Sequence, residues 1–181
     1  FNDGGKETKV MLTDPLFQTP GLNLFDCTDP VTKKVDKERA IKKPNGEYII
    51  KDRVTNQTLG VVKTRFSVFS PTFAYWVKKE NDKTLTSSQL KGKENPRLEI
   101  MKKHKGIVFC RNGRKLFVKN TIPNKDFGNN FYNVGMEIDY PSSLDKIIGL
   151  TTQKDKVRPP SDFWEQLREQ GFYESIREAE N

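Results

Sequence analysis

The sequence predicts an α+β fold, one mixed or antiparallel sheet with helices packed on one side. Three observations predict it. Residues 132–140 alternate, with Tyr132, Val134, Met136, Ile138 and Tyr140 apolar and Asn133, Gly135, Glu137 and Asp139 between them, the pattern of a strand with one buried and one wet face. Arg111-Asn112-Gly113-Arg114 joins two short apolar runs, Ile107 to Cys110 and Lys115 to Val118, and Asn-Gly suits a type I′ turn, which needs positive φ at both central residues. Beyond Pro159-Pro160, Phe163, Trp164 and Leu167 share one face of a last helix, from Ser161 to Gln170, that Gly171 stops.

Along the chain, residues 1–44 read as an irregular segment and residues 45–181 as the α+β domain. Asp14-Pro15, Thr19-Pro20-Gly21, Asp29-Pro30 and Lys43-Pro44 punctuate the first part, each proline biasing its predecessor away from helix. Its apolar islands, Val10-Met11-Leu12 and Leu22 to Phe25, suit docking on a neighbour. Pro44-Asn45-Gly46 opens a strand from Glu47 to Arg53, and a second runs from Leu59 to Phe69 with Val62, Thr64, Phe66 and Val68 on one face. Ser70-Pro71 reads as a helix entry with Phe73, Trp76 and Val77 behind it. Lys78 to Pro96 is a polar surface excursion. After the central strand, Ser142 and Asp145 suggest a capping box for a short helix that Gly149 closes.

Composition excludes some classes of function. The chain has 181 residues, 34% hydrophobic and 31% charged, and 32 Lys+Arg against 24 Asp+Glu give a net charge of +8. No apolar run approaches the roughly 20 residues that span a bilayer, so no membrane is expected among its partners. It opens on Phe1 rather than Met and so reads as a piece of a longer protein. Cys27 and Cys110 are two lone cysteines without metal-ligand spacing, so no metal site is expected, and a reducing, cytoplasmic setting is the expectation.

The sequence lacks the phosphate-cradling patterns GxxxxGK[ST] and GxGxxG. The single histidine, His104, sits among Lys102, Lys103 and Lys105, which oppose its protonation; a solvent-facing place in a basic turn is expected. Glu137 and Asp139, two apart on one strand face, could serve a metal-dependent nuclease, although alternation alone would have them facing water. Scattered basic clusters and the net charge leave open a nucleic-acid-binding module, with salt-sensitive attraction to polyanions. Leu150 to Arg158 concentrates Thr151, Thr152, Gln153, Lys154, Lys156 and Arg158, the groups with which a loop presents a point charge to a phosphate.

Lys105-Gly106-Ile107-Val108-Phe109-Cys110-Arg111-Asn112-Gly113-Arg114-Lys115 resembles a segment of the GHKL superfamily, the ATP-binding proteins of the gyrase, heat-shock chaperone, histidine kinase and MutL type. Val134 to Asp145 is similar to a second segment of that family and Gly149-Leu150-Thr151-Thr152-Gln153-Lys154 to a third. Asp14 to Phe17 and Val62 to Ser67 fit more weakly. The resemblance as a whole runs from about residue 10 to residue 170.

The resemblance implies the transducer, the second domain of such proteins, with a fold like that of a ribosomal small-subunit protein. It implies that residues 1–44 continue from a missing N-terminal ATP-binding domain. Lys154 would be the catalytic residue, reaching the γ-phosphate of ATP held in that domain, with Gln153 and Lys156 as further nucleotide-binding positions. The family's adenine motif, magnesium-holding helix and glycine-rich lid are absent from residues 1–181. ATP and Mg are therefore cofactors of the parent, and none is expected for this chain alone. The parent would be an ATP hydrolase and possible homodimer; this chain by itself would not be an enzyme.

Overall fold

The computed structural model describes residues 2–3, 6–7, 12–77, 85–127, 133–149 and 158–180. In chain order the strands are β1 (Asn2–Asp3), β2 (Lys6–Glu7), β3 (Cys27–Thr28), β4 (Val35–Asp36), β5 (Ile41–Lys42), β6 (Gly46–Lys51), β7 (Thr58–Val68), β8 (Ile107–Arg111), β9 (Arg114–Lys119), β10 (Thr121–Ile122), β11 (Lys125–Asp126) and β12 (Val134–Tyr140). The helices are α1 (Ser87–Leu90), α2 (Arg97–Lys103), α3 (Asp145–Ile148), α4 (Ser161–Glu169) and α5 (Phe172–Glu180), with a 3-10 turn at Ser142–Leu144.

The main sheet has six strands and is mixed. β12 lies at its middle, antiparallel to β7 from Val134↔Val68 to Asp139↔Lys63 and parallel to β8 from Met136↔Ile107 to Tyr140↔Arg111. Antiparallel hairpins flank it: β6 and β7 on one side, β8 and β9 on the other. β5 pairs with the far end of β7, on the same edge as β6. The turn between β8 and β9 has Asn112 at φ 49° and Gly113 at φ 76°, as a type I′ turn requires.

One sheet face carries Val62, Phe66, Phe109, Met136 and Ile138, all buried under α4 and α5 through Phe163, Leu167, Phe172 and Ile176. α5 extends the helical layer beyond the expected last helix; Gly171 at φ 90° ends α4 but only turns the chain into another helix, whose Phe172 and Ile176 recur at helical spacing. No helix among the described residues is long and apolar enough to cross a membrane.

The other face is not wet, and helices are not confined to one side. Leu16 and the Phe69 ring lie over Gly135, and Phe17, Phe69, Phe73, Leu98 and Met101 form a second cluster that brings α2 onto this face. The segment expected to be irregular supplies this cover. Asp14 folds residues 14–19 into a compact loop by accepting from the backbone N–H groups of Leu16, Gln18 and Thr19 at 3.0, 3.0 and 3.1 Å. The loop is fastened to β7 where Ser67 Oγ donates to the Leu16 carbonyl and Gln18 Nε2 to the Phe66 carbonyl, both at 2.8 Å.

The expected helix behind Ser70-Pro71 does not form. Trp76 N–H donates to the Lys93 carbonyl at 2.7 Å and Asn95 N–H to the Ala74 carbonyl at 2.8 Å, so 93–95 takes the groups a helix would have used internally. Ser70 Oγ turns to the Glu38 carboxylate instead of capping. The polar excursion also ends in structure: Asn95 is buried, its Oδ1 accepts from Arg97 N–H at 2.9 Å, and α2 follows.

Candidate functional site

Gln153, Lys154 and Lys156 lie outside the described residues. Their flanks are described. Gly149 closes α3 at φ 70°, and a Cβ there would sit 3.0 Å from the Arg158 carbonyl oxygen. Gly149 and Arg158 thus lie side by side, three residues before α4 begins at Ser161.

The segment that leads up to Gly149 is tied to the β8–β9 turn. Arg111 grips Asp145 through Nε to Oδ1 at 2.7 Å and Nη2 to Oδ2 at 2.6 Å, which raises the pKa of the guanidinium. Asp145 is thus held in an ion pair at the first turn of α3. Asp139 takes the Gly113 N–H at 2.9 Å, and Asn112 N–H donates to the Tyr140 carbonyl at 3.0 Å. Beside them the Tyr140 hydroxyl is buried without a hydrogen-bond partner among the described residues, and burial pushes its pKa up to about 12.

A second constellation lies on the face covered by α2. Glu137, expected to face water, is 8% exposed. Arg65 on the neighbouring β7 holds both its oxygens, Nε to Oε1 at 2.8 Å and Nη2 to Oε2 at 2.7 Å. The cross-strand register Glu137↔Arg65 sets this pair, and the cover from residues 14–19 makes it necessary, since an unpaired carboxylate is costly to bury. With Glu137 closed on Arg65 and Asp139 on the hairpin amide, neither carboxylate is poised for a cation. Among the described residues no group of three or more His, Cys, Asp or Glu side chains could hold a metal ion.

His104 is also buried rather than solvent-facing, at 9% exposure. Its Nδ1 meets the Ile100 carbonyl at 2.7 Å and its Nε2 meets the Lys115 ammonium. A carbonyl can only accept and an ammonium can only donate, so the ring is neutral, protonated on Nδ1. Burial, reinforced by the charges of Lys115 and Lys103, holds its pKa below the ordinary value. Burial likewise raises the Cys110 thiol well above the usual range, with nearby Glu137 and Asp139 adding to it, so this cysteine is not a nucleophile.

These groups line a cleft of about 330 Å³ between the 13–22 loop, the end of α2 and strands β7, β8 and β12. The sequence places His104 in a basic turn and Lys115 in a scattered basic cluster, and it singles out neither for this cleft. The available signal was Leu98 and Met101 three apart ahead of the lysine run, which places His104 at the end of a packed helix. No protein-family model, no curated protein and no solved structure matches this chain.

Proposed function

We propose that this chain is the transducer half of a GHKL-type ATPase, coupling ATP binding and hydrolysis in a preceding domain to conformational change. The observation that carries the reading is the convergence at the end of β12. The segments that resemble the family, 105–115 and 134–145, lie on adjacent parallel strands joined by Arg111 and Asp145, and the third resembling segment begins at Gly149, which closes α3.

In this reading Lys154 offers its ammonium to the γ-phosphate, Gln153 and Lys156 flank it, and ATP with its Mg is held by the preceding domain in a cytoplasmic protein. Residues 1–181 lack the family's adenine motif, so in this reading the chain's share is to sense and transmit. α4 starts just past the loop and is fixed to the sheet edge by Gln166 and Gln170. A displacement of the loop would therefore be delivered to β6 as a rigid-body movement. Homodimer closure in the parent would be its output.

The test is ATP turnover, with ATP binding by calorimetry, by this chain and by the chain extended N-terminally. Turnover is expected only in the extended protein, and Lys154→Ala is expected to lower it roughly tenfold or more. Full turnover in Lys154→Ala would remove that residue from the mechanism, and tight ATP binding by this chain alone would overturn the reading. The net charge of +8 favours a second reading, a nucleic-acid-binding module. It predicts salt-sensitive oligonucleotide binding with no ATP turnover in either protein.

A further inference from the structure

In the cleft beside α2 both carboxylates are engaged, whereas two of its lysines have no carboxylate partner among the described residues. Asp14 accepts from Leu16, Gln18 and Thr19, and Glu137 has both oxygens on Arg65. The one lone pair of neutral His104 is directed at Lys115. In contrast, neither Lys103 nor Lys115 pairs with a carboxylate among the described residues, and Arg65 Nη1 has no partner there. The charged groups in the cleft without a carboxylate partner among the described residues are the cations Lys103 and Lys115. Arg65, Lys103 and Lys115 also outnumber the two lining carboxylates, Asp14 and Glu137.

We propose that this cleft is a binding site for a small phosphoryl-bearing molecule, held by Lys115, Lys103 and the free edge of Arg65. Three donors arriving from β9, α2 and β7 complement the three oxygens that a terminal phosphoryl group presents. The volume lies near the lower end of the roughly 300–1,000 Å³ of small-molecule pockets, whereas a nucleic-acid strand would call for a groove with repeated cations and stacking aromatics. His104 is a positioning residue: its Nδ1–H is anchored on the Ile100 carbonyl and its Nε2 fixes the Lys115 ammonium at the cleft wall. None of Gln153, Lys154 or Lys156 takes part, so this site stands or fails separately from the transducer reading.

Pyrophosphate is the probe, titrated calorimetrically into this chain and its variants at two salt concentrations. The expected result is saturable one-to-one binding, roughly tenfold weaker in Lys115→Met and severalfold weaker in His104→Phe, with folding of each checked by circular dichroism. Lys115 is exposed, so Lys115→Met tests the site even where the buried His104→Phe disturbs the fold. Lys91→Ala, which removes one charge from an exposed lysine outside the cleft, is expected to bind as the parent does. Three results would overturn the proposal: no saturable binding, equal weakening in Lys91→Ala, or tighter binding of citrate or a short single-stranded oligonucleotide at the same lysines.

Discussion

Gln170 and Ile49 exchange two hydrogen bonds across the edge of the sheet. Ile49 N–H donates to Gln170 Oε1 and Gln170 Nε2 donates to the Ile49 carbonyl, each at 2.8 Å. One helical turn earlier, Gln166 does the same for Lys51 at 2.9 and 3.0 Å. Alternate residues of a strand are about 6.7 Å apart and residues four apart on a helix about 6.0 Å. A Gln-x-x-x-Gln pair therefore matches the outward groups of an edge strand, and α4 takes the place of a neighbouring strand.

The double substitution Gln166→Ala/Gln170→Ala removes that cover and leaves β6 with open backbone groups beside the half-exposed Ile49. Open edges pair with other chains. The expected outcome is concentration-dependent self-association, measured by sedimentation velocity, in a protein whose circular dichroism is unchanged. A variant that stays monomeric at high concentration would show that the glutamines do not seal the edge.

Arg97 is fully buried. It donates to the carbonyls of Leu24, Phe25, Asp36 and Phe73 and to the Asp36 carboxylate at 3.1 Å, while its guanidinium lies over the Phe73 ring. Arg97→Met takes the donor from all of these at once. The expected cost is about 3 kcal/mol or more, read from denaturant unfolding, with new proteolytic cleavage between residues 24 and 36. Resistance to protease equal to the parent's would deny Arg97 its anchoring role.

Glu137→Ala strands Arg65 on a covered sheet face. Breaking a fully buried pair costs about 3–5 kcal/mol, but the Arg65 side chain is 34% exposed, so water recovers part of the loss. About 2 kcal/mol is expected from urea titration. A loss below about 0.5 kcal/mol would mean that the pair behaves as an ordinary surface contact.

His104 gives stability a pH dependence of definite sign. Its folded pKa lies below the ordinary 6.5 because the ring is buried. As pH falls from that ordinary value towards the lower folded one, the unfolded chain takes up a proton that the folded chain refuses, so stability drops. Melting temperatures between pH 7.5 and 5.5 should fall more steeply for the parent than for His104→Phe. Parallel slopes would remove His104 as the cause.

The elements legible in the sequence were those whose signal is local. Asn112-Gly113 fixed a hairpin because its backbone conformation is a property of two residues, and the alternation of β12 identified a strand. What the sequence hid depended on distant partners. The same alternation made Glu137 look wet, because nothing near it reveals that residues 14–19 fold back over that face or that Arg65 arrives from another strand. His104 looked solvent-facing because the lysines beside it in sequence do not reveal the packing of α2 on this face. Gln153, Lys154 and Lys156 lie outside the described residues, while the cleft beside α2 is assembled from residues spread over more than a hundred positions.

The place of β12 in the sheet has a consequence for how the chain is made. It is the last strand of the sheet to leave the ribosome, yet it belongs between two hairpins synthesised earlier. Until residue 140 has emerged, β7 and β8 each carry an unmet inner edge, and neither hairpin alone forms a lasting sheet. Closure is thus a late, long-range event of the kind that slows folding, and nascent chains stalled before β12 should be the species that chaperones hold.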